Sequence, residues 1–192
     1  MCKRKLLFIV FAMLVSGVSA QLFNGGISLG FSGSQVDGDG WSGYNKPNLL
    51  IGIFVENTEI MPKTNFLVET SYLGKGSRFF DQHTNYSYQI SLHYVQMRIR
   101  FQYTFYKSYF AAAGISPGIL VKASVAENSI KAPDELLNFR LFDVPLSAGL
   151  GMRINKNWSG LLMFSYSPTS IKPYVWFRNN ELVFSLNRYI SM

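Results

Sequence analysis

The chain has 192 residues and a formal net charge of +7; 16% of its residues are aromatic and 15% are charged. A soluble domain usually carries about 25% charged residues, so the composition argues against an ordinary soluble protein and indicates one that exposes apolar surface. The charges after residue 20 are scattered, with no run of five or more, which argues against a nucleic-acid-binding segment. No apolar run after residue 20 approaches the ~18 residues of a transmembrane helix.

Residues 1–20 are predicted to be a cleaved signal peptide. Residues 3–5 are basic, residues 6–15 form an apolar stretch too short to span a bilayer, and small residues 18–20 precede a cut before Gln21. The shortness of the apolar stretch argues against the alternative, an uncleaved anchor. Cleavage lowers the net charge from +7 to +4 and removes Cys2, the only cysteine. Residues 21–192 are then one domain without disulfides or cysteine-based sites.

Eight segments of the mature chain alternate between apolar and polar or small residues, which is the period of a strand with one apolar face. In chain order they are residues 26–35, 48–56, 65–75, 95–105, 109–121, 142–154, 158–167 and 182–190.

The two clearest strands are residues 142–154 and 95–105. Every even-numbered residue from 142 to 154 is apolar, and thirteen residues exceed the ~9–11 that a membrane-spanning strand needs; Pro145 is the weak point, since it lacks a ladder donor. In the other strand, Arg98 and Arg100 share the polar face. An arginine facing lipid near the midplane costs ~2–4 kcal/mol, so both are expected to face the lumen.

Upstream of Val95 the apolar residues change phase, because Tyr88, Ile90, Leu92 and Tyr94 are all even-numbered. A β-bulge between Tyr94 and Val95 would restore a single outward face. The alternative is a strand that leaves the membrane near Tyr94.

The predicted connections alternate between short turns (57–64, 106–108, 155–157) and long loops (36–47, 76–87, 122–139, 168–180). Outer-membrane barrels show this asymmetry, with short periplasmic turns and long extracellular loops. The predicted fold is therefore all-β: an eight-stranded antiparallel up-and-down transmembrane β-barrel after a cleaved signal peptide. Residues 133–137 are predicted to start a short helix within the third long loop.

Several of these segments resemble PorT-like outer-membrane β-barrel proteins of the Bacteroidota. The opening run GISLGFSGSQVDGDGWSGYNKPNLLIGIFV (26–55) is similar to their first two strands, and FLVETSYLGKGS (66–77) to their third. Later strands are matched by YVQMRIRFQYTF (94–105), FDVPLSAGLGMRI (142–154) and LLMFSYSPTSI (161–171). The resemblance covers nearly the whole mature chain and rests on the order and spacing of these runs.

The chain departs from that family at a few positions. Gln96 stands where the family usually has Glu, Ala112 and Met163 lie near positions that are often Glu and Arg, and the chain ends on Met192 instead of an aromatic residue. The resemblance implies a role in, or beside, protein secretion across the outer membrane.

An eight-stranded barrel has an interior just wide enough for side chains to fill it, so "porin" would be a loose name. Buried charges need partners. The inward charges are therefore predicted to pack as one structural network in the lumen, and an ion or proton path is the alternative; these residues are Glu69, Arg98, Arg100, Asp143 and Arg153.

Four aromatic residues of the long loops are further candidates: Trp41, Tyr44, Tyr174 and Trp176. They are expected to form the outer interfacial girdle. The alternative is contact with a partner or a glycan at the cell surface.

No catalytic, cofactor or metal site is predicted, since His83 and His93 do not converge and no ligand cluster is present. We expect a non-enzymatic barrel that is structural or binds partners: outer-membrane lipid and other envelope or secretion proteins, but no nucleic acid. The alternatives are a lipid-modifying barrel enzyme that uses His93 and a soluble barrel that holds a ligand.

Overall fold

The computed structural model describes residues 23–133 and 138–190. The predicted signal peptide and residues 134–137 of the predicted short helix lie outside these ranges. Within them, no helix has the length and apolarity to cross a membrane. The strands are β1 (Phe23–Asp37), β2 (Lys46–Met61), β3 (Thr64–Asp81), β4 (Tyr86–Tyr106), β5 (Tyr109–Ile115), β6 (Gly118–Glu127), β7 (Ile130–Lys131), β8 (Phe142–Asp143), β9 (Leu146–Arg153), β10 (Trp158–Tyr166) and β11 (Arg178–Ile190).

These strands close into a ring with eight members. Going around it, β1, β2, β3, β4, β5, β9, β10 and β11 pair in turn, all antiparallel, and β11 pairs with β1 again. β5 and β6 follow one another along β4, so together they form one barrel strand. The predicted eight-stranded up-and-down barrel is therefore confirmed.

Two prolines interrupt the ring side by side. The β5–β6 strand breaks at Ser116–Pro117, and the β8–β9 strand breaks at Val144–Pro145, so residues 142–154 are not one continuous strand. A proline has no N–H to donate to the ladder. The Ser116 amide still donates to the Pro145 carbonyl at 2.9 Å, which keeps the two broken strands in register.

The predicted bulge between Tyr94 and Val95 is wrong. β4 pairs continuously with β3, and its even-numbered side chains face inward from Tyr88 to Gln102. The register shift lies in the neighbouring strand, where Val121 of β6 is the extra residue opposite the step from His93 to Tyr94. β4 needs no phase change because the lumen around Ile90, Leu92 and Tyr94 is apolar, so these side chains can face inward.

The barrel has a turn end and a loop end. The turn end carries the connections at residues 62–63, 107–108 and 154–157; the loop end carries those at 38–45, 82–85 and 167–177 and the β6–β8 connection. The predicted long loop at 76–87 is wrong, since β3 and β4 extend through most of it. Phe79 lies opposite Tyr88 across this hairpin, and Trp41 packs against both rings, which stabilises the extension.

Outward-facing side chains form an apolar belt around the ring. On β2 the exposed residues are Leu49, Ile51, Ile53 and Val55, and Leu50 and Phe54 between them are buried. This alternation places apolar groups on the outside of the wall, where a soluble protein would carry polar ones.

Candidate functional site

The middle of the lumen holds a carboxylate between two guanidinium groups. Glu69 of β3 accepts from Arg98 at 3.2 Å and from Arg100 at 2.7 Å, and all three side chains are buried. Both arginines also lie 3.7–3.8 Å from the Met163 sulfur on the far side of the barrel. These groups therefore reach across the lumen and fill it.

A second charged cluster lies nearer the loop end. The Lys75 ammonium is 3.4 Å from a carboxylate oxygen of Asp143 and 3.4 Å from one of Glu181. Asp143 also accepts hydrogen bonds from Ser167 at 3.0 Å and Asn179 at 2.8 Å. All five side chains are buried, so this cluster also blocks the lumen.

The third cluster lies at the turn end. Arg153 donates to Glu56 at 2.8 Å and lies over the ring of Tyr189, with 5.3 Å between the guanidinium carbon and the ring centroid. Glu56 is fully buried, whereas Arg153 is partly exposed.

The five charged residues predicted from the sequence do not form one network. Register along the strands separates them into three levels. The Glu69 level contains only predicted residues, and the other two are completed by residues that the prediction omitted: Lys75 and Glu181 in one, Glu56 in the other. Position along the strand could have predicted them. Glu56 faces inward because it is two residues from the inward Phe54, and Glu181 faces inward because it is two residues from Val183.

Above the charged clusters the lumen ends in an apolar plug, which we define as Val36, Ile90, Leu92, Tyr94 and Ile171. All five are at most 1% exposed. Phe139 and Phe177 pack against the plug from the connections at the loop end. The described lumen thus holds buried ion pairs and apolar side chains along its length, with the apolar plug at the loop end.

The predicted loop aromatics have unlike environments. Trp41 packs against Phe79 and Tyr88, with ring centroids 5.3 and 4.5 Å apart, so it anchors the β1–β2 loop. Tyr44 is half exposed, and its hydroxyl donates to Asn180 at 2.8 Å. These two residues are loop contacts within the protein.

Tyr174 and Trp176 are different, since both project from the β10–β11 loop and Trp176 is 75% exposed. They line a pocket of about 290 Å³ together with three cationic residues, Arg140, Lys172 and Arg178. We call this the basic pocket and define it by these five residues. Sequence reasoning singled out only its aromatics; the two cations that flank the rings in residues 172–178 are a signal for Lys172 and Arg178.

Arg178 is central to the basic pocket. Its guanidinium lies 4.6 Å from the centroid of the Trp176 ring and donates to the Tyr166 hydroxyl at 2.9 Å. Lys172 lies over the ring of Phe139 at 5.3 Å. Within the described residues, no carboxylate comes within 4.0 Å of these two cations or of Arg140.

The histidines do not assemble a catalytic arrangement in the described part of the chain. His93 lies on the outward side of β4, and the Tyr72 hydroxyl is 2.6 Å from its Nδ1. No described serine or carboxylate is hydrogen-bonded to this ring, and the described residues contain no group of three or more His, Cys, Asp or Glu side chains placed to hold a metal.

This architecture has counterparts among known proteins. Over residues 19–172 the chain matches the family described as outer membrane protein beta-barrel domain. Among solved structures, one similar protein is Ail, the attachment invasion locus protein of Yersinia pestis, in complex with the heparin analogue sucrose octasulfate. Its TM-score is 0.51 at 11% identity, over 88% of this chain and 99% of that chain. Neisserial surface protein A has a TM-score of 0.55 at 10% identity, over 85% of this chain and 96% of that chain. At such identities the likeness concerns the fold. No curated protein matches the sequence.

Proposed function

Because the chain belongs to the outer membrane protein beta-barrel domain family and is therefore an outer-membrane protein, we propose that it is a non-enzymatic barrel that acts by binding partners at its extracellular loops. The observation that carries this proposal is the filled lumen below a loop end that displays unpaired cations and exposed rings. Among the described residues, the loop end combines exposed rings with cations that have no carboxylate partner, and these groups are accessible to a partner in solution. The structure of Ail in complex with a heparin analogue supports this proposal, because it is one example of a protein with a similar fold that has a bound ligand.

A comparison of two barrels tests the loop assignment. One is the wild-type protein; in the other, residues 38–45 and 168–176 are replaced by Gly-Ser connections of equal length. Each is used in a pull-down from outer membranes. We expect envelope proteins to be recovered with the wild-type barrel and lost with the loop variant. Equal recovery by both would contradict a role for the loops and point to the wall.

The similarity to PorT-like barrels in residues 26–55 and 66–77 adds a finer proposal, which is participation in protein secretion through such partners. A deletion strain is expected to retain secreted proteins inside the cell, and the wild-type gene is expected to restore their release. Normal secretion in the deletion strain would end this part of the proposal.

Two further elements complete the proposed function. Residues 1–20 are a signal peptide removed on export, so N-terminal sequencing of the protein from outer membranes should start at Gln21. The barrel does not modify lipid, so His93→Ala is expected to leave the masses of lipid A and phospholipids unchanged. Altered lipid masses in that variant would instead favour an enzyme.

A further inference from the structure

The basic pocket combines cations with exposed aromatic rings, and this combination indicates the chemical class of its ligand. Building on the proposed function, we infer that the ligand of this pocket is a soluble anionic oligosaccharide outside the cell. Charge, exposed rings, loop rigidity and position along the barrel each bear on this assignment.

The pocket has positive charge that the described protein does not neutralise. Every ion pair in the described residues uses a lumen acid, and none involves Arg140, Lys172 or Arg178. Asp37 lies opposite Arg178 in the β1–β11 register, but its carboxylate accepts from Gln35 at 2.6 Å and makes no ion pair with Arg178. Guanidinium groups bind planar or tetrahedral anions through paired N–H donors, so sulfate or carboxylate groups fit here.

The aromatic rings distinguish a sugar from a free anion. Tyr174 is fully exposed, and Trp176 has one partner, Arg178, among the ring and cation contacts of the described residues. An exposed ring beside cations can pack against the C–H face of a pyranose, which removes apolar area from water. Inorganic sulfate would contact the cations and gain nothing from the rings.

Hydrogen bonds restrain the backbone of the loop that carries these rings. Ser170 ties it together: its Oγ accepts from the Lys172 amide at 3.3 Å and the Phe177 amide at 3.2 Å, and its hydroxyl donates to the Val175 carbonyl. Tyr174 has a φ of +61°, an uncommon conformation for a bulky residue that costs on the order of 1–3 kcal/mol and persists only where the surroundings impose it. A preorganised loop loses less conformational entropy when a ligand binds.

Position along the barrel favours a ligand in solution over a lipid headgroup. Leu182 is the last exposed apolar residue of β11 toward the loop end, and Arg178 lies four residues beyond it. Four extended residues span about 13 Å, or about 10 Å of height for a strand tilted by ~40°. The polar headgroup layer of a bilayer is only ~5–8 Å thick, so Arg178, at one side of the pocket, lies above it.

Calorimetric titration of the refolded mature protein in nanodiscs of neutral phospholipid tests the inference. The probes are a sulfated tetrasaccharide, its unsulfated counterpart, inorganic sulfate and a poly-glutamate peptide at ~0.15 M salt. We expect the sulfated sugar to bind at least tenfold more tightly than any other probe. Equal affinity for poly-glutamate would reassign the pocket to acidic proteins, and equal affinity for sulfate would show an anion site only; both overturn the inference.

Variants then locate the site. Lys172→Gln and Trp176→Ala are each expected to weaken binding of the sulfated sugar about fivefold, which corresponds to roughly 1 kcal/mol for an exposed ion pair or ring contact. Lys107→Gln, at the turn end, is the matched control and should leave binding unchanged. Because neither Lys172 nor Trp176 is part of the lumen clusters, both variants should fold. Unchanged affinity in both, or loss of binding in nanodiscs of anionic phospholipid, would overturn the assignment; recovery of envelope partners in the pull-down would still leave the proposed function standing.

Discussion

Glu69 and Arg100 form the shortest ion pair among the described residues, with 2.7 Å between Oε2 and Nη2 and neither side chain exposed. Removing one partner of a buried pair leaves the other charge uncompensated, which costs about 3–5 kcal/mol. Glu69→Gln is therefore expected to lower the free energy of unfolding by that amount, measured by urea denaturation in lipid vesicles. Glu127→Gln, the same change on an exposed side chain at the end of β6, should have almost no effect. Similar stability of the two variants would contradict a structural role for the pair.

Because the lumen is packed with side chains, the protein is expected not to conduct ions. Reconstituted in a planar bilayer, the wild-type protein is expected to show no steady conductance steps, since buried ion pairs and the apolar plug pack the described lumen. An open porin inserted in the same way provides the control. Reproducible single-channel steps would show that a path exists and would favour the ion-conduction alternative.

Gly76 occupies a position where only glycine fits. Its φ is +126°, and a Cβ added there would press against the Ile90 carbonyl oxygen on the paired strand. Gly76→Ala is expected to destabilise the barrel by about 1–3 kcal/mol. In Gly160→Ala the new methyl meets nothing closer than Leu186 at 3.9 Å; this matched change should be neutral or slightly stabilising. Equal urea midpoints for the two variants would refute the strain argument.

The tip of the β3–β4 hairpin is expected to depend on pH. The Thr84 hydroxyl, at 2.7 Å, and the His83 amide, at 2.9 Å, donate to Asp81 and hold the pKa of its carboxyl below the usual value. A lowered pKa means that these bonds stabilise the tip above the unfolded pKa and are lost as the pH falls through the folded one. A carbon-13 titration should therefore give an Asp81 midpoint below ~3.9, and Thr84→Val should raise it. An unchanged midpoint in that variant would rule out the hydroxyl as the main cause.

Contacts of Trp41 are expected to hold the β1–β2 loop in place. Its two aromatic contacts are worth about 0.5–1.5 kcal/mol each beyond the area they bury. Trp41→Ala should therefore open the loop locally and increase chymotrypsin cleavage after the exposed Tyr44 severalfold. Trp176→Ala removes a ring of the same kind from another loop and should leave that cleavage rate unchanged. Protection of Tyr44 in both variants would mean that other contacts hold the loop.

The barrel strands follow from sequence because one face of each strand meets lipid and the other meets the lumen, which gives most of each strand a period of two. Lumen partners do not follow so easily. Arg153 and Glu56 are 97 residues apart, on strands that are not neighbours in the ring, and only the stagger of the closed barrel brings them within 2.8 Å. Strand-pairing patterns predict contacts between adjacent strands and do not predict contacts across a lumen.

The phase of β4 does not follow from sequence for a related reason. Apolar side chains at Ile90 and Leu92 predict an outward face only if the whole lumen is polar, and the plug makes its upper part apolar. The basic pocket escaped prediction because Arg140 reaches it from the β6–β8 connection, whereas Lys172 lies in the β10–β11 loop and Arg178 at the start of β11. Proximity of two loops is a property of the ring order, not of either segment.

The apolar plug lets the two halves of the molecule respond differently to their solvent. Bilayers differ in thickness by several ångströms, and a wall that matches one bilayer is strained in another. The upper part of this barrel has an interior of its own, as a small water-soluble protein does, so its cohesion does not depend on the lipid. The surface presented to the medium should therefore keep its shape when the same protein is placed in thinner or thicker membranes.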